Sequence, residues 1–149
     1  MHRLLIIGIG NTLRSDDGIG IVVVQKLEKA FGNQTRVIAC QQLTPELAKD
    51  LSEADRAIII DADQGNMPGH ITVNEIKPED HVPSTFSHEL DPTTLLTSTR
   101  ELYGKFPNTF LITVTGSTFD FGEDLSRPVA DAIPQILQHV RNLASVDRC

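Results

Sequence analysis

The chain has 149 residues, of which 40% are hydrophobic and 22% charged, with a formal net charge of -7. That size and balance predict one domain, residues 1–149, with a proper core and no low-complexity tract or internal repeat. An acidic surface without a Lys/Arg cluster repels phosphate backbones and anionic lipid, so nucleic acid and membrane are excluded as expected partners.

A first strand starting within a few residues of Met1 leaves no room for a signal peptide, and no apolar run reaches membrane-spanning length. Cys40 and Cys149 are too few and too far apart for a disulfide framework. A cytoplasmic protein is expected.

Leu4 to Ile9 is continuously apolar, as a central parallel strand buried on both faces would be. It ends in glycines, turns through polar residues and delivers Asp16 and Asp17 ahead of a new apolar segment. Ser15 or Asp16 is positioned to cap a helix whose inner stripe is Ile19, Val22, Val23, Leu27 and Ala30. The run Val22-Val23-Val24 favours strand locally, but the stripe and the Lys26 to Lys29 segment favour helix. Arg36 to Cys40 is the second strand. Thr44-Pro45 has the form of an N-cap followed by proline at the first helical position, opening a short helix through Leu51.

Ala57 to Ile60 is a third buried strand running directly into Asp61-Ala62-Asp63-Gln64-Gly65. After a loop over 65–69, His70 to Ile76 alternates enough to suggest a strand with one solvated face or an edge position. Lys77 to Ser87 is aperiodic loop, with His88 following it. Asp91-Pro92 starts a helix with Leu95, Leu96, Thr99, Leu102 and Tyr103 inward. Thr109 to Thr115 is a strand and Gly116 to Glu123 a loop. The last helix carries the stripe Val129, Ile133, Ile136, Leu137, Val140, Leu143, and Pro134 predicts a kink or a later start. This order predicts a three-layer α/β/α domain around a largely parallel twisted sheet of about five strands.

What the opening loop holds is the functional question. A dinucleotide fits poorly: Leu13 stands where the fingerprint needs its third glycine, two carboxylates would face the pyrophosphate, and Cys40-Gln41-Gln42 lacks a ribose-binding acid. There is no P-loop, so no nucleotide is expected. A metal fits better. Asp17 follows strand one and Asp61 follows strand three, which are usually neighbours in doubly wound order, so the two carboxylates would converge at one edge. A cation would relieve their mutual repulsion, His88 could add an imidazole, and such a set leaves positions open for substrate.

The plainer readings stand beside this one. Asp16 reads as a cap, and Asp17 equally as a first-turn acid facing the helix dipole. Asp63 competes with Asp61, and a single histidine such as His88 is commonly a hydrogen-bonding group. His2, His70, His81 and His139 fall outside the cluster. A Cys40–His88 cysteine-protease pair is the weaker alternative, since a cysteine ending an apolar strand is commonly a small buried hydrophobe. No Gly-x-Ser-x-Gly elbow is present.

Gly8-Ile9-Gly10-Asn11-Thr12-Leu13-Arg14-Ser15-Asp16-Asp17-Gly18-Ile19-Gly20 resembles the opening motif of the hydrogenase maturation endopeptidases. Ile58-Ile59-Ile60-Asp61-Ala62 resembles their second motif and Ser87-His88-Glu89-Leu90 their third, in the same order along the chain. The resemblance implies an endopeptidase that removes the C-terminal extension of a [NiFe] hydrogenase large-subunit precursor after nickel insertion. It implies that nickel comes with the substrate, and that Asp17, Asp61 and His88 contact it and form the catalytic set. Asp17 stands where relatives often carry Glu. The segment Gln41-Gln42-Leu43 departs from the Asp-Gly-Gly-Thr type and looks more like members serving bidirectional, NAD(P)-linked hydrogenases. Nickel bound there would anchor the tail, polarise the scissile carbonyl or activate a water, or a carboxylate such as Asp17 would act as general base. Readings outside this activity are a non-catalytic metal-binding assembly chaperone of the same fold and a general metal-dependent hydrolase.

Overall fold

The computed structural model describes residues 2–32, 34–80 and 90–145. Five strands form one sheet: β1 (His2–Ile9), β2 (Thr35–Cys40), β3 (Ala54–Gln64), β4 (Ile71–Ile76) and β5 (Asn108–Gly116). Four α-helices complete the chain order, α1 (Ile19–Glu28), α2 (Leu47–Ser52), α3 (Pro92–Tyr103) and α4 (Arg127–Ser145). The sheet order is β2-β1-β3-β5-β4, parallel throughout except for β4, which runs antiparallel along the β5 edge.

Strand alternation divides the core between the two faces of the sheet. Leu4, Ile6, Ile58, Ile60, Ile112 and Val114 pack with α1 and α4. Leu5, Ile7, Ile9, Ala57 and Ile59 pack with Leu47, Ala48 and Leu51 of α2 and Leu95 of α3. The three-layer α/β architecture is therefore as expected. The central strands are solvent-free on both sides, and each fully buried isoleucine there contributes about 1.5–3 kcal/mol of burial free energy. The β4 edge is as its looser alternation suggests.

Helix α1 forms despite its valine run, because packing against the sheet outweighs local β preference. Its buried face is Ile19, Gly20, Val23, Val24 and Leu27, turned from the expected stripe, with Val22 half-buried and Ala30 exposed beyond the helix end. Gly20 explains the turn. A Cβ there would lie 2.5 Å from the Ile9 carbonyl oxygen and 2.6 Å from that of Ile60. A Cβ on Gly8 would in turn strike the Gly20 carbonyl. These glycines let α1 lie directly on β1 and β3. Gly20→Ala is expected to cost about 3 kcal/mol, since both obstacles are backbone and cannot rotate away. Gly32, with nothing within 4 Å of a built Cβ, is the matched control, and paired denaturant melts of the two alanine variants compare them directly.

Three further differences have local causes. β3 extends to Gln64 because β5 continues to pair with it as far as Gln64–Gly116, so Asp61 and Asp63 are strand residues rather than loop residues. In α3, Leu102 and Tyr103 are exposed, while Thr97 and Thr99 are buried with their hydroxyls donating to the Thr93 and Leu95 carbonyls at 2.8 Å. Local satisfaction of those hydroxyls removes the cost of burying them. α4 begins at Arg127 and runs through Pro134, which lies on its exposed side, where water can satisfy the carbonyl left without a donor. The Asp91-Pro92 signal is met in full: Asp91 caps α3 by accepting from the Thr94 N–H at 2.7 Å, and Gly104 closes it at φ 72°. The Thr44-Pro45 signal opens a turn, and regular α-helix starts at Leu47.

Candidate active site

The β1–α1 connection is fixed by backbone contact before any side chain acts. Gly10 sits at φ 152°, and a Cβ on it would run into the Asp17 carbonyl. Only glycine meets both demands. The Asn11 N–H donates to Asp17 Oδ2 at 2.9 Å, and Asn11 Oδ1 accepts from the Leu13 N–H at 2.9 Å. The Asp17 carboxylate is thereby oriented and only half-buried.

Asp61 follows the buried run Ala57 to Ile60 on β3, the strand next to β1, with Gly8 registered opposite Ile60. Alternation places it on the same face as Ile59, where one oxygen accepts from the Ala62 N–H at 2.8 Å. Both carboxylates line one polar cavity of about 400 Å³ at the C-terminal edge of the sheet. Arg14, Gln41, Gln42 and the start of α3 at Asp91 complete much of its wall. The edge position is where parallel α/β sheets place ligands. Asp63 is exposed and does not line this cavity, whereas Asp61 does. His88 lies outside the described residues, whereas Leu90 lines the cavity. Among the described residues no group of three or more His, Cys, Asp and Glu is placed to hold a metal.

Asp16 is not a helix cap. Fully buried, it accepts from the N–H groups of Ser117 at 2.7 Å, Thr118 at 3.2 Å and Ser126 at 2.7 Å, and from the Ser126 hydroxyl at 2.8 Å. Burial pushes its carboxyl pKa up, but the bonds from Ser126, Ser117 and Thr118 outweigh burial and hold it below the ordinary value. Asp16 ties the opening loop to the β5–α4 connection. Ser15, at φ 54°, adds its hydroxyl to the Asp120 carbonyl at 2.8 Å and its N–H to the Gly122 carbonyl at 2.8 Å. These partners lie more than a hundred residues away, and no local pattern announces them.

Cys40 is poorly suited to nucleophilic attack. Burial and the nearby negative charge of Asp61 both raise its thiol pKa, keeping it protonated.

The family model for hydrogenase maturation proteases matches residues 21–143. The chain belongs to this family. Hydrogenase maturation proteases are peptidases, and the chain is accordingly an enzyme of that kind. It is 28% identical over 113 residues to the hydrogenase 2 maturation protease of Escherichia coli K12, covering 70% of this chain and 67% of that one. It is 30% identical over 149 aligned residues to the hydrogenase expression/formation protein HupD of Rhizobium leguminosarum bv. viciae, covering 91% and 71%. The fold superposes on the E. coli hydrogenase maturating endopeptidase HybD with a TM-score of 0.68 at 25% identity, covering 94% of this chain and 93% of that one. On the [NiFe] hydrogenase maturation protease HycI of Thermococcus kodakarensis it gives 0.75 at 18%, covering 95% and 91%. This hydrogenase maturation protease, then, has Asp17 and Asp61 in the wall of one polar cavity. The described residues contain no helix long and apolar enough to cross a membrane.

Proposed function

We propose that this peptidase removes the C-terminal extension of a [NiFe] hydrogenase large-subunit precursor in the cytoplasm, after nickel has been inserted, and that it reads the nickel in its substrate. The observation that carries the reading is the convergence of Asp17 and Asp61 on one cavity at the sheet edge in a member of this protease family. Two oxygen donors leave most coordination positions open, which suits a metal that arrives already held by substrate thiolates. His88 is assigned as the third donor, on its place in the Ser87-His88-Glu89-Leu90 motif. Imidazole is a fitting ligand for nickel.

In this reading the nickel anchors the precursor tail across the cavity and activates the water that attacks the peptide bond or, where Asp17 does not contact the metal, that carboxylate takes the water's proton as general base. Substrates without nickel would lack the anchor, so only finished precursors would be cut. The test is mass spectrometry of the large-subunit precursor after incubation with the protein, with and without nickel loading. Loss of the extension from the loaded precursor alone is expected. Equal cleavage of both would remove nickel recognition, and stable binding with no mass change would favour an assembly chaperone.

A further inference from the structure

Peptide hydrolysis builds negative charge on the scissile carbonyl oxygen, and a peptidase needs hydrogen-bond donors or positive charge at that point. The cavity's acids, Asp17, Asp61 and Asp91, have the wrong charge for this, while Asn11, Gln41 and Gln42 bring uncharged amide groups. Among the described residues Arg14 is the one Lys or Arg in the cavity wall. Its Nε donates to the Phe119 carbonyl at 3.2 Å, while its backbone N–H bonds the Asn11 carbonyl at 3.0 Å and its strand-like bridge pairs it with Gly122. The side chain is thus tethered at Nε, and the main chain by its own N–H and the bridge to Gly122. Among the described residues its terminal nitrogens form no ion pair with the neighbouring carboxylates and no hydrogen bond.

We infer that Arg14 is a further catalytic residue, its terminal N–H groups donating to the scissile carbonyl oxygen and to the oxyanion formed from it. This rests on the cavity being the site of cleavage. In the step, the oxygen of a water bonds to the carbonyl carbon, and the C=O π pair moves onto oxygen, facing Arg14. The water's proton passes to the Asp17 carboxylate and then to the leaving amide nitrogen. The C–N bond breaks with its electron pair going to nitrogen, giving a carboxyl and an amine, while Arg14 remains protonated throughout. A guanidinium suits this role because its planar fork is permanently charged and can be pre-aimed by the Phe119 contact.

The experiment measures kcat and KM on the nickel-loaded large-subunit precursor for the native chain, Arg14→Ala and Arg14→Lys, each with a thermal melt. Arg14 is exposed, so both variants should melt with the native chain. The expected result is a fall in kcat of about 10²–10³-fold for Arg14→Ala with KM little changed, as for loss of an oxyanion donor. Arg14→Lys should recover part of it, and added guanidinium ion should raise the rate of Arg14→Ala. A rise in KM with kcat intact would overturn the assignment in favour of ground-state docking, and a lowered melting temperature without guanidinium rescue would reduce Arg14 to a loop tether. Asp61→Asn, run in parallel, separates the two levels. If it too cleaves normally, the cavity is not the site. If it is dead while Arg14→Ala is fully active, only the inference about Arg14 fails.

Discussion

Asp61→Asn is expected to give a folded protein that leaves the nickel-loaded hydrogenase precursor at full length. The substitution is nearly isosteric, and an amide oxygen can still accept from the Ala62 N–H, so the end of β3 keeps its geometry. What disappears is a negative charge in the cavity wall. Asp17→Asn should behave alike, since its oxygen can still accept from the Asn11 N–H while its basicity is lost. For a group serving as base, the loss is about 10²–10⁴-fold in rate. Asp63→Asn supplies the control: that carboxylate is two residues further along the same strand, exposed and outside the cavity. Cleavage rates by mass spectrometry, with thermal melts of all three variants, decide the matter. Native activity in Asp61→Asn would sink the assignment of this cavity, whereas loss in Asp63→Asn would move the site along the strand.

The pair of acids was readable because it depends on chain order. A parallel sheet puts the ends of like-directed strands on one edge, and buried apolar runs at Leu4 to Ile9 and Ala57 to Ile60 make β1 and β3 obvious. Alternation of strands and helices likewise makes the three layers legible, and the Asp91-Pro92 capping pair the start of α3. Features that depend on long-range contact were hidden. Asp16 has a capping residue's chemistry and position, and only the arrival of Ser117, Thr118 and Ser126 from beyond β5 makes it a buried acceptor instead. The buried face of α1 turned on the approach of Gly20 to two strand carbonyls, which no hydrophobic periodicity encodes. Nothing local in the opening motif shows that Arg14 lies in the wall of the cavity that Asp61 lines. Leu102 and Tyr103 have the helical spacing for burial, yet both are exposed at the C-terminal end of α3.

Asp16→Ala should be among the most destabilising single changes available to this chain, and the reason also bears on activity. It strips the acceptor from three main-chain N–H groups and one hydroxyl at the junction of two loops. Bonds to a charged acceptor are worth about 1.5–3 kcal/mol each, but the stranded donors recover water in part. A net loss of about 3–5 kcal/mol is expected, lowering the melting temperature by roughly 6–20 °C. Asp16→Asn should lie close behind, because its NH₂ would face donors rather than acceptors. The pH dependence has a definite sign. The folded pKa of Asp16 lies below its unfolded value, so its contribution is fully present above the unfolded pKa of about 4 and is lost as pH falls through the folded value. The stability gap between the native chain and Asp16→Asn, from urea unfolding at a series of pH values, should be constant from neutral pH down to about 5 and shrink below about 4. A gap that stayed constant into acid would show that the charge on Asp16 contributes nothing. Because Asp16 lies between Arg14 and Asp17 on one loop, the same variants should lose cleavage activity at temperatures where they remain folded.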